Sequence, residues 1–234
     1  MKDLYNILAS FVPVKYIRPH LYDINLFLKN FSIYINNKYE KISILDFGAG
    51  KSPYKKLFKE SFNYISYDKY HDMSSKADLI FDSDTIINLD DNSVDVIMAI
   101  QVLEHLKEPS IIFSEFKRIL KPNGYLLITT HQNFEIHCEP EDYFRFTFFG
   151  LKYLGEKNNF IIKNYTFTNG FIVTLLYGFV SFLKKIFPNS YFLIFIIFAP
   201  VFIPLVFTHY FLFKNSHKIP NNPINLNIIF KSND

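Results

Sequence analysis

Short apolar runs alternate with helix-like segments between residues 40 and 130, and this alternation restricts the fold more than any other feature of the sequence. The runs are rich in Ile, Val, Phe and Tyr, and they predict strands at 42–47, 62–67, 77–81, 94–99 and 125–130. Pro109 opens a segment with helical spacing that ends before "KPNG" at 121–124, where the chain turns into the next strand. Strands that alternate with helices favour right-handed crossovers and a largely parallel sheet. The predicted fold class is therefore α/β.

Segments on both sides of this core continue the pattern. Apolar residues at helical spacing predict a helical lead-in over residues 1–40: Leu21, Ile24, Leu28, Phe31 and Ile35. After residue 141, "DYFRFTFFGLKYLGEKN" predicts a helix, "FIIKNYTF" a strand and "INLNIIFK" a last strand. The expected division is a core at 41–169, an apolar helical insertion at 170–215 and a C-terminal strand segment at 216–234.

The insertion is almost free of charge. From Gly170 to Phe213 its only charged residues are Lys184 and Lys185, and "YFLIFIIFAPVFIPLVFTHYFLF" at 191–213 has none. A bilayer core of about 30 Å needs roughly 20 helical residues, so the length allows a span. Pro200 and Pro204 interrupt the helix, however, and the chain must return to the sheet. A hairpin at a membrane surface through 171–213 is favoured, and packing on its own domain or on a second subunit, as in a homodimer, is the alternative.

Charge and cysteine content narrow the class of protein. A formal net charge of +3, from 25 basic and 22 acidic residues with no Lys/Arg run, does not indicate a nucleic-acid partner. The single cysteine, Cys138, has no partner for an internal disulfide, and the first residues lack a signal-peptide pattern, so we expect a cytoplasmic location. No metal-ligand spacing stands out, and we predict no metal dependence.

The most informative loop is "ILDFGAGKSPY" at 44–54, in which Asp46 is followed by Gly48 and Gly50. A dinucleotide fingerprint has a third glycine where Pro53 stands, and proline donates no N–H to a phosphate. The loop therefore favours a ligand without a pyrophosphate, and "PYKKLF" predicts a helix behind it. Asp68 ends the next predicted strand, where a carboxylate can accept hydrogen bonds from both ribose hydroxyls.

Four motifs in order resemble the class I S-adenosylmethionine (SAM)-dependent methyltransferases of the type 11 group. They are "ILDFGAGKSPY", "YISYD", "INLDDNSVDVIMAIQVLEHL" and "EFKRILKPNGYLLITT". The resemblance implies a Rossmann-like sheet, mostly parallel with an antiparallel last strand, and SAM as the methyl donor. It implies cofactor contacts for the following residues: Asp46, Gly48 and Gly50 at the methionine end, Asp68 at the ribose, Asp82 or preferably Asp84 near the adenine amine, and Gln101.

A fifth segment, "HCEPEDYFRFTFFGLKYL", resembles a motif of methyltransferases encoded among bacterial surface-glycan genes. His137 is the first candidate for a general base, because imidazole titrates near neutrality, and His131 is its rival. Arg145 is a candidate clamp for a phosphate or carboxylate, with Asp142 beside it. The alternative is a structural role, in which Asp142 and Thr147 cap the next helix.

Three functions follow from these observations. The first is O-methylation of a sugar or lipid-linked glycan intermediate at the cytoplasmic face of a bacterial membrane. The second is methylation of a small molecule embedded in the membrane, such as a quinone or lipid precursor. The third is a module that binds SAM without catalysis, although the polar cluster around His137 favours an enzyme.

Overall fold

The computed structural model describes residues 19–69, 77–80, 86–168, 170–188, 197–198, 200–201, 204–205 and 223–233. Within them the four helices are α1 (Pro19–Lys38), α2 (Pro109–Ile119), α3 (Phe148–Lys157) and α4 (Phe171–Ile186). The strands are β1 (Ser43–Phe47), β2 (Asn63–Asp68), β3 (Leu79–Ile80), β4 (Val94–Ile100), β5 (Leu120–His131), β6 (Phe160–Thr168) and β7 (Asn225–Ser232).

The seven strands form one sheet in the order β3-β2-β1-β4-β5-β7-β6. The pairs from β3 to β5 are parallel. Strand β7 is antiparallel to both neighbours, because its first residues meet the ends of β5 and β6: Gln132 N donates to Ile224 O at 2.8 Å, and Ile224 N donates to Thr168 O at 3.0 Å. The predicted Rossmann-like sheet with an antiparallel last strand is confirmed.

The strand predictions agree with the structure over most of the core, with differences at 77–81 and at "KPNG". Only Leu79–Ile80 of the predicted strand 77–81 is a strand, and residue 81 lies outside the described residues. Strand β5 begins at Leu120, opposite Val94, and its next partner is Tyr125, opposite Val96. The four residues of "KPNG" therefore bulge out of a strand that has already begun, rather than separating α2 from it. Asn123 adopts a φ of 63°, the left-handed conformation that a tight bulge requires.

Buried aromatic side chains hold the helices against the sheet. Phe47 on β1 stacks on Tyr67 of β2 at a ring distance of 5.6 Å and meets Phe116 of α2 edge-on at 5.2 Å. Edge-to-face and offset aromatic pairs add about 0.5–1.5 kcal/mol beyond the burial of their area. The side chain of Phe113, also on α2, packs edge-on against Phe160 and completes this layer.

Two predicted helices are wrong in their extent. "PYKKLF" forms only a 3₁₀ turn, Lys55–Leu57, which ends because the backbone of Phe58 is extended. The helix predicted from Asp142 begins at Phe148. Thr147 caps it by accepting a hydrogen bond from Gly150 N, and the carboxylate of Asp142 has other partners.

The chain divides into two compact units. The larger consists of Leu26–His131, Ile136–Thr166 and Leu226–Asp234, and the smaller of Met1–Asn25, Gln132–Glu135 and Phe167–Asn225. The smaller unit includes α4, which lies in the predicted apolar insertion; most of 189–222 lies outside the described residues. Across the part of the chain that is described, no helix combines the length and the apolarity needed to cross a bilayer.

Candidate active site

The loop after β1 is shaped by two glycines with left-handed backbones. Gly48 has a φ of 72° and Gly50 a φ of 52°. A Cβ on Gly48 would lie 2.3 Å from Cγ2 of Val102, so the loop can approach the end of β4 only without a side chain there. A Cβ on Gly50 would meet nothing within 4 Å. Gly48 thus serves packing, whereas Gly50 faces open space.

Strand β2 holds this loop in place. Tyr67 O accepts hydrogen bonds from Gly48 N at 2.8 Å and from Ala49 N at 3.2 Å. Asp68 Oδ2 accepts from Gly50 N at 2.5 Å, and Asp68 Oδ1 accepts from Lys69 N at 2.7 Å. The predicted cofactor loop and the predicted ribose carboxylate therefore lie together at the carboxyl edge of the sheet, where open α/β sheets bind ligands.

Asp46 lies below the loop and is 2% exposed. Its Oδ2 accepts a hydrogen bond from the hydroxyl of Tyr64 at 2.6 Å. The pKa of the Asp46 carboxyl is raised to about 6, chiefly because the group is buried; the Tyr64 hydrogen bond opposes this rise and the charge of Asp68 contributes to it. The sequence pattern did not indicate Tyr64 as its partner.

Gln101, directly after β4, contributes a buried polar atom. Its backbone is left-handed at a φ of 59°, its N–H donates to Thr129 O at 2.8 Å, and its Nε2 donates to Thr129 Oγ1 at 3.0 Å. Within the described part of the chain, Gln101 Oε1 is buried and has no hydrogen-bond partner. A buried amide oxygen without a donor costs about 1–3 kcal/mol, so this position fits a ligand that donates a hydrogen bond.

The segment Ile136–Phe146 is fastened across the ends of β4 and β5. Glu104 O accepts hydrogen bonds from Tyr143 N at 2.8 Å and from Phe144 N at 3.2 Å, and His131 O accepts from Phe146 N at 3.1 Å. These bonds place the polar segment beside the same sheet edge as the glycine loop. The sequence-based expectation that it borders the acceptor position is consistent with this location.

Glu104 and His131 face one another in the interior. Glu104 is 0% exposed, and its Oε2 accepts from Thr130 Oγ1 at 2.7 Å. Its Oε1 lies 3.6 Å from Nε2 of His131 and accepts no hydrogen bond from the described residues. Burial raises the pKa of the Glu104 carboxyl, because the low-polarity surroundings disfavour its charge.

His137 and Arg145 share the carboxylate of Asp142. Arg145 Nη1 and Nη2 donate to the two oxygens of Asp142 at 2.6 and 2.7 Å, and His137 N donates to Oδ2 at 2.9 Å. His137 Nδ1 is also 3.4 Å from Oδ2. The Arg145 hydrogen bonds hold the pKa of the Asp142 carboxyl well below its usual range. The guanidinium thus orients Asp142, and its expected role as an acceptor clamp stays a prediction.

His105 completes a group of three imidazoles. The ring centroid of His137 lies 4.8 Å from that of His105 and 5.1 Å from that of His131. His105 Nδ1 is 2.5 Å from Glu141 O, and Lys69 Nζ donates to Glu141 Oε1 at 2.8 Å. The loop after β2 is therefore joined through Glu141 to the Ile136–Phe146 segment, which is called the acceptor-side segment below because we expect the acceptor beside it. Cys138, in the same segment, is exposed.

The comparisons with known proteins agree with this arrangement. A family model described as "methyltransferase domain" matches residues 22–150. The chain belongs to the methyltransferase-domain family. A search of the curated proteins finds no match. The methyltransferase is similar to several solved structures at low sequence identity, and these likenesses concern the fold alone.

Three solved structures illustrate the likeness. A SAM-dependent methyltransferase from Archaeoglobus fulgidus is 17% identical, with 89% of this chain and 94% of that chain covered and a TM-score of 0.56. One from Methanosarcina mazei is 16% identical, with 86% and 97% covered and a TM-score of 0.51. The cyclase SpnF is 15% identical, with 88% and 80% covered and a TM-score of 0.54. Since one neighbour is a cyclase, the fold alone does not fix the reaction.

The cofactor of this methyltransferase is SAM. The residues present fit it, since no described residue donates a hydrogen bond to Gln101 Oε1 and Gly50 leaves open space beside the Asp68 carboxylate. Asp68 would hold the ribose, and Asp46 would lie near the methionine end. The adenine-side residues expected from the sequence, Asp82 and Asp84, lie outside the described residues.

Proposed function

We propose that this methyltransferase transfers the methyl group of SAM to a hydroxyl oxygen of a sugar or lipid-linked glycan intermediate. The observation that carries the proposal is the location of the Ile136–Phe146 segment, which resembles the glycan-cluster enzymes. Its backbone is tied to Glu104 and His131 at the edge that also carries the glycine loop. An acceptor bound along this segment would therefore meet the cofactor on one side and imidazoles on the other.

When bound, SAM supplies an electrophilic methyl group on a positively charged sulfur. Transfer of this methyl group would form a carbon–oxygen bond at the acceptor as the carbon–sulfur bond breaks, with the electron pair of that bond remaining on sulfur. The protein mainly aligns the reacting groups, and a base that removes the hydroxyl proton contributes typically about 10²–10⁴-fold. His137 is our first assignment for that base, because the Asp142 carboxylate lies next to its Nδ1 and orients the ring. His131 beside Glu104 is the second.

We also propose that the methyltransferase works at the cytoplasmic face of a membrane. Several large apolar side chains on or directly after α4 are exposed, and Lys185 beside them is exposed as well. These apolar residues are Leu175, Phe182, Ile186 and Phe187. An apolar helix face with adjacent lysine is the arrangement that lies in the interface of an anionic bilayer. A second copy of the chain covering this face is the competing explanation.

The acceptor class is tested by transfer of labelled methyl from SAM into separated cell fractions. We expect label in the lipid-linked glycan or nucleotide-sugar fraction, and none in that fraction when His137→Asn and His131→Asn are combined. Label confined to quinones or simple lipids would contradict the glycan proposal and support methylation of a small molecule embedded in the membrane. SAM binding by calorimetry without transfer to any fraction would identify a non-catalytic module.

Membrane contact is tested separately by flotation with liposomes that contain anionic lipid. We expect the full chain to float and the double variant Leu175→Ser/Phe182→Ser to float less. Glutamate substitution at Tyr153, an exposed aromatic residue of α3 in the larger unit, serves as a control on general surface apolarity. A chain that remains in the lipid-free fraction, or one that forms a dimer lost in the same double variant, would contradict the membrane proposal.

A further inference from the structure

The cluster beside the cofactor edge has the composition of a transition-metal site. Glu104, His131 and His137 each offer one ligand atom, and these three atoms lie within 4.8 Å of one another. Two histidines and one carboxylate are the protein ligands of many catalytic zinc sites and of the facial triads that bind iron. Imidazole nitrogens favour zinc and its neighbours in the first transition series over magnesium or calcium, which take oxygen ligands.

A second observation, independent of the residue types, also indicates a cation. Glu104 is 0% exposed, and its Oε1 is directed at His131 without accepting a hydrogen bond from any described residue. A buried carboxyl group of this kind either keeps its proton or, when it is charged, is stabilised by a cation. The distance from this oxygen to Nε2 of His131 is 3.6 Å, too long for a hydrogen bond. Two ligand atoms bound to one ion at about 2.0–2.1 Å are about 3.3 Å apart in tetrahedral geometry. This is close to the observed separation of Glu104 Oε1 and His131 Nε2.

The surroundings supply the outer contacts that metal-bound histidines usually have. The ring Nδ1 of His137 lies 3.4 Å from Asp142 Oδ2, and Arg145 fixes that carboxylate with two hydrogen bonds. A carboxylate behind a ligating imidazole orients the ring and increases its basicity. The Thr130 hydroxyl likewise orients Glu104, because it donates a hydrogen bond to Oε2.

We propose that Glu104 Oε1, His131 Nε2 and His137 Nε2 bind one divalent first-row transition ion, zinc or a close neighbour. The sequence analysis predicted no metal dependence because the three ligands come from three separate segments and show no characteristic spacing. Three protein ligands leave a coordination position for an acceptor hydroxyl, whose pKa the ion lowers. His137 is then a metal ligand rather than the general base. The proton of the acceptor hydroxyl passes to solvent or to His105 instead. This refines the proposed function but does not depend on it, because ion binding is measured without any acceptor.

The test uses the full chain without a histidine tag, stripped of metal and titrated with Co²⁺. We expect one ion per chain, with visible ligand-field absorption, and displacement of Co²⁺ by Zn²⁺. Glu104→Gln keeps the side-chain shape and the oxygen that Thr130 contacts, and it should weaken binding by at least 100-fold. His137→Asn should do the same. Glu108→Gln, an identical change at an exposed position just after this loop, should leave binding unchanged.

Two further variants test the choice of ligands. His105, His137 and Cys138 form a second group whose potential ligand atoms also lie within 4.8 Å of one another. Cys138→Ser and His105→Asn should keep the cobalt spectrum. A near-ultraviolet thiolate band that Cys138→Ser abolishes would overturn the assigned ligand set.

The titrations of the unaltered chain and of His137→Asn test for the metal site even if Glu104→Gln fails to fold. The absence of stoichiometric binding would mean that His131 neutralises Glu104 as an ion pair only, and the metal proposal would be wrong.

A final measurement separates this proposal from the proposed function. Asp142→Asn leaves all three ligands in place and removes the charge behind His137, and loss of such an outer contact typically weakens metal binding by about 10–100-fold. Full methyl transfer by the metal-free chain would overturn the metal's role and leave the methyltransferase proposal intact. Stoichiometric cobalt binding without transfer to any glycan fraction would leave the site intact and overturn the acceptor assignment.

Discussion

The backbone N–H of Gly50 donates a hydrogen bond to Asp68 Oδ2 at 2.5 Å. This contact joins the loop after β1 to the end of β2, so the two motifs that we expect to bind the cofactor are held together in its absence. The same carboxylate also accepts from Lys69 N. Since Lys69 pairs with Glu141 in the acceptor-side segment, the cofactor edge and the acceptor edge are linked through a short chain of contacts.

Replacing Asp68 with asparagine should weaken SAM binding by about 10- to 100-fold. Hydrogen bonds to a charged group contribute about 1.5–3 kcal/mol, and the amide keeps one oxygen for Gly50 N, so the change acts mainly on the ribose contact. Calorimetric titration with SAM measures the affinity. Asp90→Asn, at an exposed position, is the matched control. Equal affinities for the two variants would show that Asp68 does not hold the ribose.

Alanine at position 48 should destabilise the protein more than alanine at position 50. Both glycines have left-handed backbones, which cost an alanine about 1–2 kcal/mol. Only Gly48 also lacks room, because the new Cβ would lie 2.3 Å from Cγ2 of Val102, and overpacking typically adds about 1–3 kcal/mol. Urea unfolding of both variants measures the difference.

The double variant Gly48→Ala/Val102→Ala tests this steric explanation. Removing both γ-methyl groups of Val102 should recover part of the loss, so that the double variant is more stable than the sum of the single changes predicts. Strict additivity would mean that the backbone conformation alone accounts for the cost at Gly48.

Lysine in place of Arg145 should loosen the acceptor-side segment without unfolding the sheet. The guanidinium donates to both oxygens of Asp142, and an ammonium group cannot reproduce that paired geometry. We expect faster amide hydrogen exchange in peptides that cover 136–146 and unchanged exchange in β4 and β5. Arg118→Lys, which disturbs a pair with Glu115 on α2, should leave 136–146 unaffected. Uniform acceleration over the whole chain would argue for global destabilisation instead.

The strands of the sheet could be predicted from the sequence because each strand is marked by a local pattern of residues. Continuous apolar strands bounded by polar residues predicted β1, β2 and β4 within one residue at each end. The shape of the glycine loop was equally accessible, since a strand followed by Gly48 and Gly50 has few conformations. The helix expected from Asp142 was placed too early, because the competing hydrogen bonds of Asp142 are made to Arg145 and to His137 N rather than to a helix terminus.

The chemistry of the acceptor side depends on contacts that no local pattern contains. His131 ends β5, whereas Glu104 lies in the 3₁₀ turn after β4, and only the register of the two strands brings them together. The hydroxyl partner of Asp46, Tyr64, is likewise on a neighbouring strand.

Burial of Asp46 should make the stability of the protein fall as the pH rises through the range of about 4 to 6. The folded state raises the pKa of this carboxyl from 3.8 to about 6, so between these values the folded protein holds a proton that the unfolded chain has lost. Stability decreases with pH wherever the folded state binds more protons, and the gap between the two pKa values corresponds to about 3 kcal/mol.

Asparagine at position 46 removes this titration while keeping an oxygen for the Tyr64 hydroxyl. Urea unfolding of the unaltered protein and of Asp46→Asn at several pH values isolates the contribution, because all other titrating groups cancel in the difference. We expect the variant to gain stability relative to the unaltered protein by up to about 3 kcal/mol between pH values of about 4 and 7. A constant difference between Asp46→Asn and the unaltered protein over this range would mean that the carboxylate remains charged in the folded protein, balanced by the Tyr64 hydrogen bond.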